Sequence, residues 1–214
     1  MTRVFWDVDT QVDFMRPDGK LYVDGAERIV ANLAALTDFA HGRGIRIVGS
    51  SDNHDPGDDE LSETPDFVDT FPPHCLRGTE GQARIPETRL RSVLVVEPED
   101  TAAEVVRRVA NHPGDILFHK HYFDVFTNPS VGPVVETLAI DDVVLYGVAL
   151  DVCNRYAVEG LLSRHPGVGI TVVTDAVRAI DEDGRNALLA DWRARGVGLS
   201  TTADVVTKRR QLCG

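Results

Sequence analysis

Short apolar runs alternate with stretches of helical periodicity along most of the chain. Residues 3–8 read as a hydrophobic strand. Ile29, Val30, Leu33, Leu36, Phe39 and Ala40 then recur at the spacing that places them on one face of a helix over 25–43, which Gly42 and Gly44 close. Residues 46–49 form a second strand. Residues 93–96 read as a strand or an extended connector, 101–110 as a helix, 115–119 as a strand ending at Lys120, and 129–139 as a helix with proline near its start. Residues 142–146, short and β-branched, make the clearest buried strand, and from Asp151 the helical spacing returns with Val152, Tyr156, Ala157, Gly160 and Leu161. A strand over 169–174, a helix over 183–195 and a short strand over 197–201 complete the series. Strands alternating with helices predict an α/β fold, a three-layer α/β/α arrangement around a mostly parallel sheet counted as six strands. No repeat, low-complexity tract or linker divides residues 1–214, which read as a single domain.

In such sheets ligands bind beyond the carboxyl ends of the strands. Four strands deliver ionisable residues to that edge: Asp9 follows the first, Asp52 and His54 the second, Lys120 the strand over 115–119, and Cys153 the strand over 142–146. Cys153 falls in the first turn of a helix, where free N–H groups and the macrodipole favour a thiolate and can hold an oxyanion. A cysteine at such a junction is also a small residue that packs well, and the partners at the same edge are what single this one out. Asp9 can act as base and acid and Lys120 as the neighbouring cation. Asp52 and His54, two apart in an extended segment, share a side, and with His74 they could form a three-ligand metal site with open positions. Cys75, next to His74 in an extended chain, should point the opposite way. The connection that carries His74, about 35 residues rich in Pro, Gly, Asp and Thr, has the length of a functional loop.

Composition narrows the partners. A formal net charge of -12 argues against a nucleic acid or an anionic membrane. Cys75, Cys153 and Cys213 are an odd set at unrelated spacings with no signal-like N-terminus, so a disulfide framework is not expected and a cytoplasmic location with reduced thiols is. No apolar run reaches the length of a membrane span.

The motifs resemble those of a known family. Asp9-Thr10-Gln11-Val12-Asp13-Phe14 matches Asp-x-Gln-x-Asp-Phe, and Gly147-Val148-Ala149-Leu150-Asp151-Val152-Cys153 matches Gly-x-Ala-x-Asp/Glu-x-Cys. Lys120 with Asp124-Val125-Phe126, Asp52-x-His54, Pro72-Pro73-His74-Cys75 and Arg77-Gly78-Thr79-Glu80-Gly81 stand in the same order. Over about residues 3 to 175 the chain resembles the isochorismatase-like cysteine hydrolases, and within them the nicotinamidase branch. The resemblance implies a triad of Asp9, Lys120 and Cys153 and a non-proline cis peptide at Val148–Ala149, with the N–H groups of Ala149 and Cys153 facing the oxyanion. It implies a divalent ion, zinc first and iron or manganese as alternatives, on Asp52, His54 and His74. That ion would bind the ring nitrogen of nicotinamide, with Phe14 and Phe71 against the ring. A small amide would be hydrolysed to acid and ammonia through a Cys153 thioester, by a protein that is a homo-oligomer as family members commonly are.

Two departures bear on the substrate. Asn53 stands where an aromatic residue is usual, and the segment from Lys120 to Phe126 is shorter than in many nicotinamidases. A family hydrolase acting on a different amide, carbamoyl or vinyl-ether substrate is the alternative reading, and a non-catalytic protein on the same fold is a third. Asn154 and Arg155 after the cysteine have no account at this level.

Overall fold

Alternation along β1 (Thr2–Val8) splits the interior into two cores: Val4, Trp6 and Val8 enter one, Phe5 the other. The computed structural model describes residues 1–207, so Cys213 lies outside the described residues. β2 (Ile47–Asp52), β3 (Leu94–Val96), β4 (Ile116–Lys120), β5 (Ile140–Val148), β6 (Gly169–Arg178) and β7 (Gly198–Ser200) join β1 in one sheet, ordered β3-β4-β2-β1-β5-β6-β7. Every ladder in it is parallel.

The sheet therefore has seven strands, where six are counted from the sequence. The added one is β3: its three residues pair with Ile116, Leu117 and Phe118 at the sheet edge, a pairing too short to declare itself in the apolar pattern. β5 and β6 also run further than expected, because Gly147 and Val148 pair with Val177 and Arg178 beyond an irregularity in the ladder.

The first core is roofed by α3 (Ala102–Ala110), α4 (Val131–Thr137), α5 (Cys153–Arg164) and α6 (Glu182–Ala194). The second is covered by α1 (Val12–Met15), α2 (Val30–Gly42) and α7 (Thr202–Thr207). The helix expected over 25–43 begins with a 3-10 turn at Ala26–Ile29 before α2. Among the described residues no helix is long and apolar enough to cross a membrane.

From β1 the chain passes to β2 on one side, and from β5 to β6 on the other. The carboxyl ends of the adjacent β1 and β5 thus form the crevice where such sheets bind ligands. Gly147 lets the two ends approach: it sits at φ 118°, and a Cβ there would lie 2.0 Å from the Val8 carbonyl oxygen. The long connection after β2 is pinned by bridges between His54 and Leu76, Leu61 and Phe71, and Gln11 and Arg84.

Candidate active site and metal centre

β4, β2, β1 and β5 are consecutive in the sheet, so their carboxyl ends bring Lys120, Asp52, Asp9 and Cys153 together. The β2–β4 register places Asp52 beside Lys120. The Lys120 ammonium is fully buried. It pairs with Asp52 Oδ1, lies 3.0 Å from Asp9 Oδ2, and stands 3.7 Å from Cys153 Sγ. Burial alone would discharge it, but Asp52 and Asp9 hold its pKa well above the ordinary value, so it stays a cation. Asp9, at a left-handed φ of 49° just past β1, accepts a 2.7 Å hydrogen bond from Ser50 Oγ. Burial raises its carboxyl; Lys120 opposes the rise and Asp52 adds to it.

Cys153 is the first residue of α5 and has no side-chain cap above it, as the sequence suggests. The expected thiolate does not follow. Burial pushes the Cys153 thiol well above its usual pKa, and although Lys120 pulls it down, Asp9 and Asp52 push it up again. At rest it carries its proton, facing a carboxylate whose own affinity for protons is raised. The Val148–Ala149 peptide is cis. In the turn that follows, Leu150 N–H donates to Arg178 O, and the N–H groups of Val152 and Asn154 donate to Ala149 O. Those of Ala149 and Cys153 take no partner among the described residues. Asn154 gains an account here: its buried amide donates to Gly147 O at 3.1 Å, tying the end of β5 to the start of α5. Arg155 is exposed, and nothing in the structure explains it.

The other motif residues prove to be braces. Gln11 docks amide to amide on Asp52, its Nε2 donating to Asp52 O at 2.8 Å and its Oε1 accepting from Asp52 N at 2.7 Å. Asp13 accepts from the Cys75 N–H at 2.7 Å, which sets the position of His74, and Gly81 leaves room for that carboxylate. Cys75 is at φ 44° rather than extended, and its side chain is buried in the second core.

One ligand atom each from Asp52, His54 and His74 lies within 4.8 Å of the others, and all three residues are buried. His54 Nε2 has no hydrogen-bond partner among the described residues. His74 donates from Nδ1 to Pro72 O at 2.8 Å, leaving Nε2 facing Asp52 Oδ2 at 3.7 Å. Burial keeps His54 below its usual pKa, while His74 is raised because Asp52 outweighs burial. Lys120 and the two imidazoles hold Asp52 ionised, far below the usual carboxylate range, although burial opposes them.

Glu60 is a member that sequence reasoning missed. It is buried with one oxygen 4.0 Å from His54 Nε2 and the other 3.9 Å from His74 Nε2, and burial and Asp52 push its carboxyl up to about 7. Only its place in the Pro- and Asp-rich loop hinted at it. A buried carboxylate without a hydrogen-bond partner on one oxygen, beside two imidazoles and a carboxylate, is a donor set suited to a divalent cation, and these residues fit one.

Phe14 packs on the His74 ring with centroids 5.5 Å apart. Phe71 meets Phe123 edge-on at 5.4 Å, and Phe123 in turn stacks on Tyr156. Asn53 is engaged elsewhere, bonding His119 Nδ1 at 3.0 Å and accepting from Gln82 at 3.2 Å. A broad cleft at the opposite, amino-terminal edge of the strands, lined by Thr2, Arg3, Arg46 and Asp115, holds none of these residues.

Comparison with known proteins agrees with this geometry. Residues 7–204 match the isochorismatase domain family. The nicotinamidase/pyrazinamidase of Mycobacterium tuberculosis is 30% identical over 200 residues, covering 90% of this chain and 95% of that one. Pyrazinamidase of Pyrococcus horikoshii, solved in complex with zinc, superposes with a TM-score of 0.73 at 19% identity, over 94% of this chain and 99% of that one. N-carbamoylsarcosine amidase from Thermoplasma acidophilum gives 0.70 at 23% identity, over 94% and 97%. The match along nearly the whole chain, on a parallel sheet whose carboxyl edge gathers lysine, aspartate and cysteine, places this protein in the isochorismatase family as a nicotinamidase-like hydrolase of amide bonds.

Proposed function

We propose that the protein hydrolyses nicotinamide, or a small heteroaromatic amide like it, to the acid and ammonia. The observation that carries this reading is the contact of one buried ammonium, Lys120, with Asp9, Asp52 and Cys153 together: it couples a nucleophile and base to a metal donor set through shared Asp52. The name of the Mycobacterium tuberculosis relative supports the same substrate class.

In this mechanism Asp9 takes the Cys153 proton as sulfur attacks the amide carbon. The N–H groups of Ala149 and Cys153 receive the oxyanion. Collapse of the tetrahedral intermediate breaks the C–N bond, and Asp9 returns the proton to the nitrogen, which leaves as ammonia. Asp9 then removes a proton from water, whose oxygen attacks the thioester carbonyl; the acid departs and Cys153 regains its proton. Lys120 remains charged throughout and balances the negative charge as it moves between Asp9 and sulfur. Asp52, His54 and His74, with Glu60 beside them, would hold a divalent ion, zinc before iron or manganese. Bound there, the ion would act as a Lewis acid that orients a ring nitrogen of the substrate. Phe14 and Phe71 supply apolar surface for the ring.

The test is ammonia release from nicotinamide and pyrazinamide by purified, zinc-loaded protein, compared with an N-carbamoyl amino acid and a vinyl ether. Release from the first pair, lost in Cys153→Ala, is the expected result. Turnover confined to the second pair would reassign the substrate.

A further inference from the structure

The two ring nitrogens of fully buried His54 meet different surroundings. Nε2 turns to the place where Asp52 and His74 converge, while Nδ1 lies 3.1 Å from Asp58 Oδ2. The same Asp58 oxygen accepts the Asp55 N–H at 3.1 Å and faces His121 Nδ1 at 3.1 Å. His121 Nε2 lies 3.3 Å from Glu99 Oε1, so both nitrogens of that ring face carboxylates. One Asp58 oxygen is thus shared by two imidazoles and a backbone N–H. His74, by contrast, is oriented by the neutral carbonyl of Pro72. A carboxylate on one nitrogen of an imidazole keeps the proton there, leaves the lone pair on the other, and makes that lone pair a stronger donor to a cation than a carbonyl would.

We propose that Asp58 is a positioning residue of the metal centre: it holds His54 protonated at Nδ1 with Nε2 directed at the cation, and His121, anchored by Glu99, holds Asp58 in turn. The inference rests on Asp52, His54 and His74 being the metal donors. Asp58 acts only through His54. The chain from His54 through Asp58 and His121 to Glu99 runs from the buried donors to an exposed carboxylate, and it gives the otherwise irregular loop after β2 a chemical reason for its conformation.

The experiment strips the full-length protein with a chelator and titrates zinc against a chromophoric competitor, reading affinity, stoichiometry and the unfolding midpoint of the stripped protein. The parent should bind one zinc per chain. Asp58→Ala should bind it about 10- to 100-fold more weakly. Asp58→Asn, which keeps an acceptor but loses the charge and preserves the side chain's shape, should fall between, and His121→Gln should show a smaller loss in the same direction. The stripped proteins should unfold at the same midpoint. Unchanged zinc affinity in Asp58→Asn and Asp58→Ala would overturn the proposal. So would a second zinc per chain that disappears with Asp58, since Asp58 would then be a ligand itself. A parent that binds no zinc sinks this inference together with the metal reading. A parent whose zinc affinity depends on Asp58 but which releases no ammonia sinks the amidase reading and leaves this one standing.

Discussion

Lys120 and Asp52, adjacent in the β2–β4 register, form a buried ion pair that joins the two halves of the site. Oδ1 of Asp52 meets the ammonium that also serves Asp9 and Cys153, and Oδ2 faces His74. One carboxylate thus touches both the cation beside the proposed nucleophile and a proposed metal donor. Asp52→Asn should abolish metal-dependent amide hydrolysis and also lower stability by about 3 kcal/mol, because it leaves a buried cation short of one partner. His74→Asn should remove the activity with a smaller loss of stability. Urea unfolding of the two metal-free variants separates them, and equal losses would show that the ion pair contributes nothing of its own.

The resting thiol makes a second expectation. Asp9 raises the pKa of Cys153 while Lys120 lowers it, so Asp9→Asn should move the midpoint of thiol alkylation downward. The same variant should lose amide hydrolysis by about 10²- to 10⁴-fold, since the proposed base is gone. Iodoacetamide labelling across pH reads the first effect and ammonia release the second. A labelling midpoint that rises or stays put would contradict the assigned electrostatics.

Glu60 predicts a pH dependence of the chelator-treated protein. Its carboxyl is raised from an ordinary 4.5 to about 7, so the native state keeps a proton that the unfolded chain gives up. The associated stability is fully present below about pH 4.5 and lost as pH rises through about 7, a change of roughly 3 kcal/mol. Glu60→Gln should flatten this slope in urea titrations between those pH values. If parent and variant show the same slope, Glu60 is not the group responsible.

Away from the chemistry, Arg84 pairs with fully buried Asp7 and also donates to Thr10 Oγ1 and Ser50 O, clasping the long connection to β1 and β2. Burial raises Asp7 against the pull of Arg84. Arg84→Met should destabilise by about 3–5 kcal/mol by leaving that carboxyl unpaired. Adding Asp7→Leu should recover part of the loss, and strictly additive losses in a double-mutant cycle would rule out the pairing as the cause.

Much of the molecule was legible as a string. Strand–helix alternation determined the fold class, and the motifs around Asp9, Asp52, Lys120 and Cys153 identified the carboxyl edge, because periodicity and strand exits are local properties of the chain. Gly147 was already visible in its motif; the reason for it, the approach of the Val8 carbonyl, was not. What only the tertiary structure decided depends on contacts between residues far apart in sequence. Three residues at an edge became β3 because β4 lay alongside. Cys153 sits at a helix terminus that alone would favour the thiolate, but folding buries it near Asp9 and Asp52, and burial with those two carboxylates pushes its pKa up. Glu60 and Asp58 came to face the histidines for the same reason: their loop has no periodicity of its own, and it is tied down by bonds of Cys75 to Asp13 and of Gln82 and Arg84 to Gln11 rather than by its composition.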